Sequence, residues 1–142
     1  MSTKLPLRAE FRKLVETRLE QTLRGIEDTL SQIMQKQEIT PTELKEDLKS
    51  LEENFNVIFQ KWSLEILYTL LLKNAAGFGE IKKILGVNSR TLSDKLKMLA
   101  KHGYATRKVD AGPPLRVKYA LTRKGKNTVL LALPLLYYSS SA

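Results

Sequence analysis

The chain has 142 residues, a net charge of +9, no cysteine and a single histidine, His102. That length fits one domain, or one small domain with an appended helical element. Without cysteine there is no disulfide framework, thiolate metal site or thiol switch, and one histidine without clustered oxygen ligands argues against a metal centre, so no metal and no cofactor is expected.

Charge is unevenly distributed. Residues 1–55 carry 9 Lys/Arg against 11 Asp/Glu, a net −2, whereas residues 56–142 carry 15 against 4, a net +11. A polyanion-facing module joined to a nearly neutral element has this partition. The start of the chain, Met1 to Pro6, is charged and lacks an apolar run, and the apolar stretch Val129 to Tyr138 is too short to span a bilayer. A soluble, cytoplasmic protein with no membrane partner is expected.

The first element is a long helix over about 7–37. Leu7, Phe11, Leu14, Val15, Leu19, Leu23, Ile26, Leu30 and Ile33 recur every three or four positions. Gly25 is its weak point, costing about 1 kcal/mol relative to Ala in a helix interior. Such a stripe on a near-neutral helix needs a partner. The expected partner is the same helix of a second copy, the apolar C-terminal segment, or both, and Phe11, Leu19, Ile26 and Leu30 are expected in a homodimer interface with Leu131, Leu135 and Tyr138. Residues 1–55 therefore form an N-terminal helical arm for dimerisation.

Thr40-Pro41-Thr42-Glu43 starts a second helix. Thr40 caps, Pro41 suits the first helical position, and Glu43 completes a capping box. Leu44, Leu48 and Leu51 give its apolar stripe, and it is expected to end near Asn54. A third helix over about 57–72 is apolar on most faces and central to the core, with Trp62 a packing residue rather than a platform for stacked bases. Lys73 to Gly77 is a turn or short strand.

Next come two short helices around a turn. Phe78 to Leu85 places Ile81, Ile84 and Leu85 inward, Gly86 fits the left-handed position past a helix end, and Asn88 or Ser89 caps a helix running from Arg90 to His102. Helix, glycine-containing turn and helix make a helix-turn-helix. Strands over 104–109 and 116–122, joined by the turn 110–115, follow as a basic hairpin. A last helix starts after the cap Thr122 and is bent or ended at Pro134. The fold class is mainly α with a small β wing: a winged helix-turn-helix over 56–126, preceded by the arm and followed by an apolar C-terminal helix and short tail over 127–142.

This arrangement suits double-stranded DNA. The major groove admits one helix, which needs one stripe for the core and another for base edges and phosphates. In the 90–102 helix Leu92, Leu96 and Leu99 face inward, and Ser89, Arg90, Thr91, Asp94, Lys95 and Lys97 are the expected groove residues. Taken alone, that helix reads better as a solvated surface helix. The capped turn before it and the basic hairpin after it decide for DNA. Arg107, Lys108, Arg116 and Lys118 are the wing residues, and Lys82, Lys83, Arg123 and Lys124 are candidate backbone contacts. His102, at a helix C-terminus, reads as a cap rather than a sensor.

Four segments carry a resemblance: Lys61-Trp62-Ser63, Phe78-Gly79-Glu80-Ile81, Ser89 to Leu99, and Pro113 to Gly125. In order and spacing they resemble the HxlR-type branch of the MarR-like winged-helix regulators, whose pattern runs Gly-Lys-Trp, Arg-Phe-x-Glu-Leu, Ser-x-x-x-Leu-Ser-x-Arg-Leu and Tyr-x-Leu-Thr-x-x-Gly. The resemblance covers about residues 56–138. It implies a non-enzymatic, homodimeric transcription regulator with its recognition helix at 90–102 and its wing near 110–116. Gln60 stands where the pattern has glycine and Lys95 where it favours arginine. Members that sense oxidants or aldehydes use a cysteine near the first core helix, so that mechanism does not carry over, and no effector is implied. The alternatives are an architectural, chromatin-like DNA-binding protein of low sequence specificity and a winged-helix protein-interaction module. An enzyme is disfavoured, because no catalytic constellation or phosphate-binding glycine loop is present.

Overall fold

The computed structural model describes residues 6–139, and within them every side chain except those at positions 6–8, 11 and 137. The element order is α1 (Pro6–Lys36), α2 (Pro41–Ile58), α3 (Ser63–Lys73), β1 (Ala75–Gly77), α4 (Phe78–Leu85), α5 (Ser89–Lys101), β2 (Ala105–Asp110), β3 (Arg116–Leu121) and α6 (Arg123–Ser139). The chain divides into two compact units: Lys49–Leu131, and a second built from the segments on either side of it.

The Lys49–Leu131 unit is a winged helix-turn-helix. Its core is built from Ile66, Leu67 and Leu70 of α3, Ala76 of β1, Ile81 of α4, Val87 of the turn, Leu92, Leu96 and Leu99 of α5, Tyr104, Ala105 and Val129. These are the inward positions that the helical periodicity selects. Truncating a fully buried leucine such as Leu96 to alanine costs about 2–5 kcal/mol at sites of this kind. The sheet is antiparallel in the order β1-β3-β2, with Ala76 opposite Tyr119 and Lys108 opposite Lys118. The segment 75–77 is thus a strand, and it ties the wing to the base of α4.

Local caps form as the sequence requires. The Thr40 hydroxyl accepts from the Glu43 amide at 3.2 Å at the start of α2. Gly86 takes φ 68° and donates to the Lys82 carbonyl at 2.8 Å, closing α4. Asn88 caps α5 by accepting from the Thr91 amide at 2.8 Å.

Two boundaries differ from expectation. α2 does not end near Asn54 but continues to Ile58, where the Phe55 and Phe59 rings stack at 4.2 Å between centroids across one helical turn. The expected 57–72 helix therefore begins only at Ser63. Between them lies a tight turn in which Ser63 donates to the Gln60 carbonyl at 3.1 Å and Trp62 adopts φ 79°. A left-handed conformation at a bulky residue costs on the order of 1–3 kcal/mol, so packing around it must hold it there. Trp62 is half-buried, with the Lys61 ammonium 5.4 Å from its ring centroid. At Pro134, where a bend or an end is expected, the end is excluded. α6 runs through it to Ser139, because one proline removes a single internal hydrogen bond while apolar helix formers flank it.

The wing root is closed by a compact set of bonds. Tyr104 donates to the Leu99 carbonyl at 2.8 Å, and Thr122 donates through its amide to the Tyr104 carbonyl at 3.2 Å. The Thr122 hydroxyl donates to the Gly103 carbonyl at 2.6 Å and accepts from the Gly125 amide at 2.9 Å. Gly125 lies so close that a Cβ there would collide with the Tyr104 carbonyl oxygen. Gly125→Ala should destabilise the winged unit by roughly 3 kcal/mol, since the clash is with backbone rather than a flexible side chain. Denaturant unfolding measures it, and a loss below about 1 kcal/mol would contradict so close an approach.

Candidate nucleic-acid interface

Helix α5 presents three zones. Leu92, Leu96 and Leu99 are fully buried, Arg90, Asp94, Lys97 and Lys101 are exposed, and Thr91, Lys95 and Met98 are half-buried between them. Successive side chains on a helix are separated by 100°, so positions 90, 94, 97 and 101 form one stripe opposite the core stripe. Ser89 is exposed at the first helical position, where the leading amide groups and the helix dipole favour an anion. The sequence-predicted residues Arg90, Asp94 and Lys97 are thus aligned, and Thr91 and Lys95 lie on the flank. Lys101 belongs to the outward stripe and was not singled out by sequence. The i, i+4, i+7, i+11 spacing from Arg90 would have identified it.

Lys95 is not free. Its ammonium donates to the Gln60 Oε1 at 2.6 Å, bridging α5 and the α2–α3 turn. Of the candidate backbone residues, Lys82 and Lys83 line a shallow concavity with Gly79, Gly86, Val87 and Asn88, beside the start of α5. Arg123 is exposed at the start of α6. Lys124 is engaged within the protein: its ammonium donates to the His102 carbonyl at 3.0 Å and lies 4.5 Å from the Tyr104 ring centroid. It neutralises the C-terminal end of α5, as a cation at a helix C-terminus does. His102 itself caps that end, its Nδ1 2.9 Å from the Met98 carbonyl.

The strand register sorts the wing residues. Lys108 pairs with Lys118 and Asp110 with Arg116, so Lys108, Arg116 and Lys118 share one face of the hairpin. Arg107 pairs with Tyr119 and projects from the opposite face, the one that leads down to buried Ala105 and half-buried Leu121. The four residues grouped by sequence therefore split three to one. Direct opposition of two lysines is unfavourable in the free protein and is relieved by an anion lying between them. The neighbouring Asp110–Arg116 pair has opposite charges.

The helix-turn-helix family model described as HxlR-like matches residues 57–136, more than half of the chain. The chain belongs to the HxlR-like helix-turn-helix family. Among curated relatives, the uncharacterized HTH-type transcriptional regulators YdzF and YvaP of Bacillus subtilis are 32% and 37% identical over 68 residues. Each alignment covers 47% of this chain and 62% of the relative, so the chain spans less than two thirds of the length of either. Among solved structures, diamide-treated YodB from B. subtilis superposes with a TM-score of 0.52 at 26% identity, covering 63% of this chain and 87% of that one. The redox regulator HypR in its oxidised form gives a TM-score of 0.58 at 26% identity, covering 66% and 96%. This HxlR-like chain, by contrast, contains no cysteine.

Among the described residues of this HxlR-like protein no helix is long and apolar enough to cross a membrane. Two stability effects follow from the geometry. Asn88→Ala should cost about 1 kcal/mol through loss of the α5 cap. Lys118→Thr should gain a few tenths of a kcal/mol at low salt by removing the opposed charge, and the gain should vanish near 1 M salt. Urea unfolding at two ionic strengths checks both. Equal behaviour of Lys118→Thr at both strengths would remove the like-charge argument.

Proposed function

We propose that this protein is a dimeric transcription regulator that binds double-stranded DNA, with α5 in the major groove and the wing on the backbone or in the minor groove. The observation that carries this reading is a capped helix with Arg90, Asp94, Lys97 and Lys101 on its outward stripe. It is followed by a hairpin with Lys108, Arg116 and Lys118 on one face. Arg90, at the N-terminal end of α5, reads a guanine edge, Ser89 and Thr91 contact bases or the adjoining phosphates, and Asp94 accepts from a cytosine amino group. Lys82, Lys83 and Arg123 neutralise flanking phosphates. Lys124, held on His102, supports the end of α5 instead. The family membership, the transcription-regulator names of the Bacillus relatives and the net +11 of residues 56–142 support the same reading.

Dimerisation belongs to the arm over residues 1–55 and to the apolar C-terminal helix. Ile26 and Leu30 of α1 are 52% and 53% exposed, and Leu131, Leu135 and Tyr138 of α6 are 74%, 52% and 64% exposed. Leu19 is half-buried, and the Phe11 side chain lies outside the described residues. So much exposed apolar surface on two helices is costly for a monomer, and a second copy removes it from water. Two α5 helices then address half-sites about 34 Å apart on a pseudo-palindromic duplex.

Selection from a random duplex pool by purified protein at physiological salt tests the reading. A sharp, two-fold symmetric motif is expected, with affinity falling steeply as salt rises. A flat profile would favour an architectural role, and absence of DNA binding would favour a protein-interaction module. Arg90→Ala should weaken the selected site at least tenfold while affecting random duplex much less, and equal losses would remove Arg90 as a base reader. Ile26→Glu with Leu30→Glu should sediment as a monomer, and a persistent dimer would place the interface elsewhere.

A further inference from the structure

Lys95 and Gln60 lie 35 positions apart in sequence yet are joined by a 2.6 Å hydrogen bond. The turn fixes Gln60 from behind, because its carbonyl accepts from the Ser63 amide at 3.1 Å and the left-handed Trp62 sets the turn's path. The glutamine amide thus offers its oxygen from a backbone that is already fixed. Lys95 is half-buried on the flank of α5, one turn after Thr91, so its stem is packed and only its head is free to choose a direction. These are also two of the positions where the chain departs from the family pattern, which has glycine and arginine there. Glycine at 60 has no side-chain acceptor to offer. The two departures therefore meet in one contact.

We propose that Gln60 is a specificity-determining positioning residue that acts through Lys95. An unrestrained lysine has wide rotamer freedom, and a point charge on a flexible stem suits phosphate better than a base edge. The bond to Gln60 removes much of that freedom before DNA arrives, which is the advantage of preorganisation. One ammonium proton is used and two remain. The glutamine amide group adds two further donors with no partner among the described residues. The ammonium and the amide NH2 together set several donors side by side next to α5. In the major groove the base edge that offers two adjacent acceptors is guanine, through N7 and O6. The pair therefore selects guanine at one position of each half-site.

This inference rests on the DNA-binding reading above, and the test separates the two. Duplex selection is run with wild type, Gln60→Ala, Lys95→Met and the double variant, alongside affinity for random duplex and thermal unfolding. Gln60→Ala should lose about tenfold of its preference for guanine at one half-site position. Lys95→Met should lose preference at that same position, and the double variant should lose no more than Lys95→Met alone. Since Gln60 carries no charge, Gln60→Ala should leave random-duplex affinity and its salt slope within about twofold of wild type. An unchanged motif in Gln60→Ala, losses at two different positions, or losses that multiply in the double variant would overturn the proposal while leaving the DNA-binding reading intact. A wild type that binds duplex but selects no motif overturns both this proposal and the reading as a sequence-specific regulator.

Discussion

The Thr122 hydroxyl is the point on which the winged unit turns. It donates to Gly103 just past the end of α5 and accepts from Gly125 at the start of α6, while the Thr122 amide bonds Tyr104 at the entry to the wing. Three segments far apart in function are closed onto one another by a single side chain and its backbone. The orientation of a recognition helix relative to its wing is a rigid-body quantity, and small errors at the hinge are magnified at the hairpin tip. Short bonds to a part-buried hydroxyl, with a glycine that admits no Cβ, restrict that hinge. Lys124 adds a second restraint from the same segment, since its bond to His102 and its place over Tyr104 couple α6 to the end of α5.

Outward from this closure, the surface is organised by charge held in definite registers. Helical spacing aligns Arg90, Asp94, Lys97 and Lys101, and strand pairing aligns Lys108, Arg116 and Lys118. The two patterns arise from unrelated geometries, one of period 3.6 and one of period 2, yet both keep the cations away from the core. The free protein bears a cost for this in the Lys108–Lys118 opposition. An isolated surface lysine carries no such cost, which is why the register says more than the count of basic residues.

Much of the fold was legible in the sequence because its signals are local. The Thr40, Asn88 and Thr122 caps, the left-handed Gly86 and the buried Leu92, Leu96 and Leu99 each follow from a few neighbouring residues. The α2–α3 boundary was not legible. Apolar residues continue at helical spacing through Phe55, Ile58, Phe59 and Trp62, and neither glycine nor proline marks the turn. The wing was found but its facing was not, since the hairpin register depends on pairing across five intervening positions. The engagement of Lys95 by Gln60 and of Lys124 by His102 was likewise out of reach, because both are long-range contacts with no periodic trace. The apolar stripe of α1 was visible, and its exposed Ile26 and Leu30 agree with that pattern.

The strand order β1-β3-β2 has a further meaning. It leaves β2 on an open margin of the sheet, with unpaired backbone groups available to any extended chain that approaches. At the other margin β1 is only three residues long, too short to template a new strand. β2 instead carries Thr106, Arg107, Lys108 and Asp110 in exposed positions. A row of solvated charges along a free margin deters strand addition, so the cationic wing also acts as a guard against aggregation. Replacing its lysines with apolar residues would therefore threaten solubility.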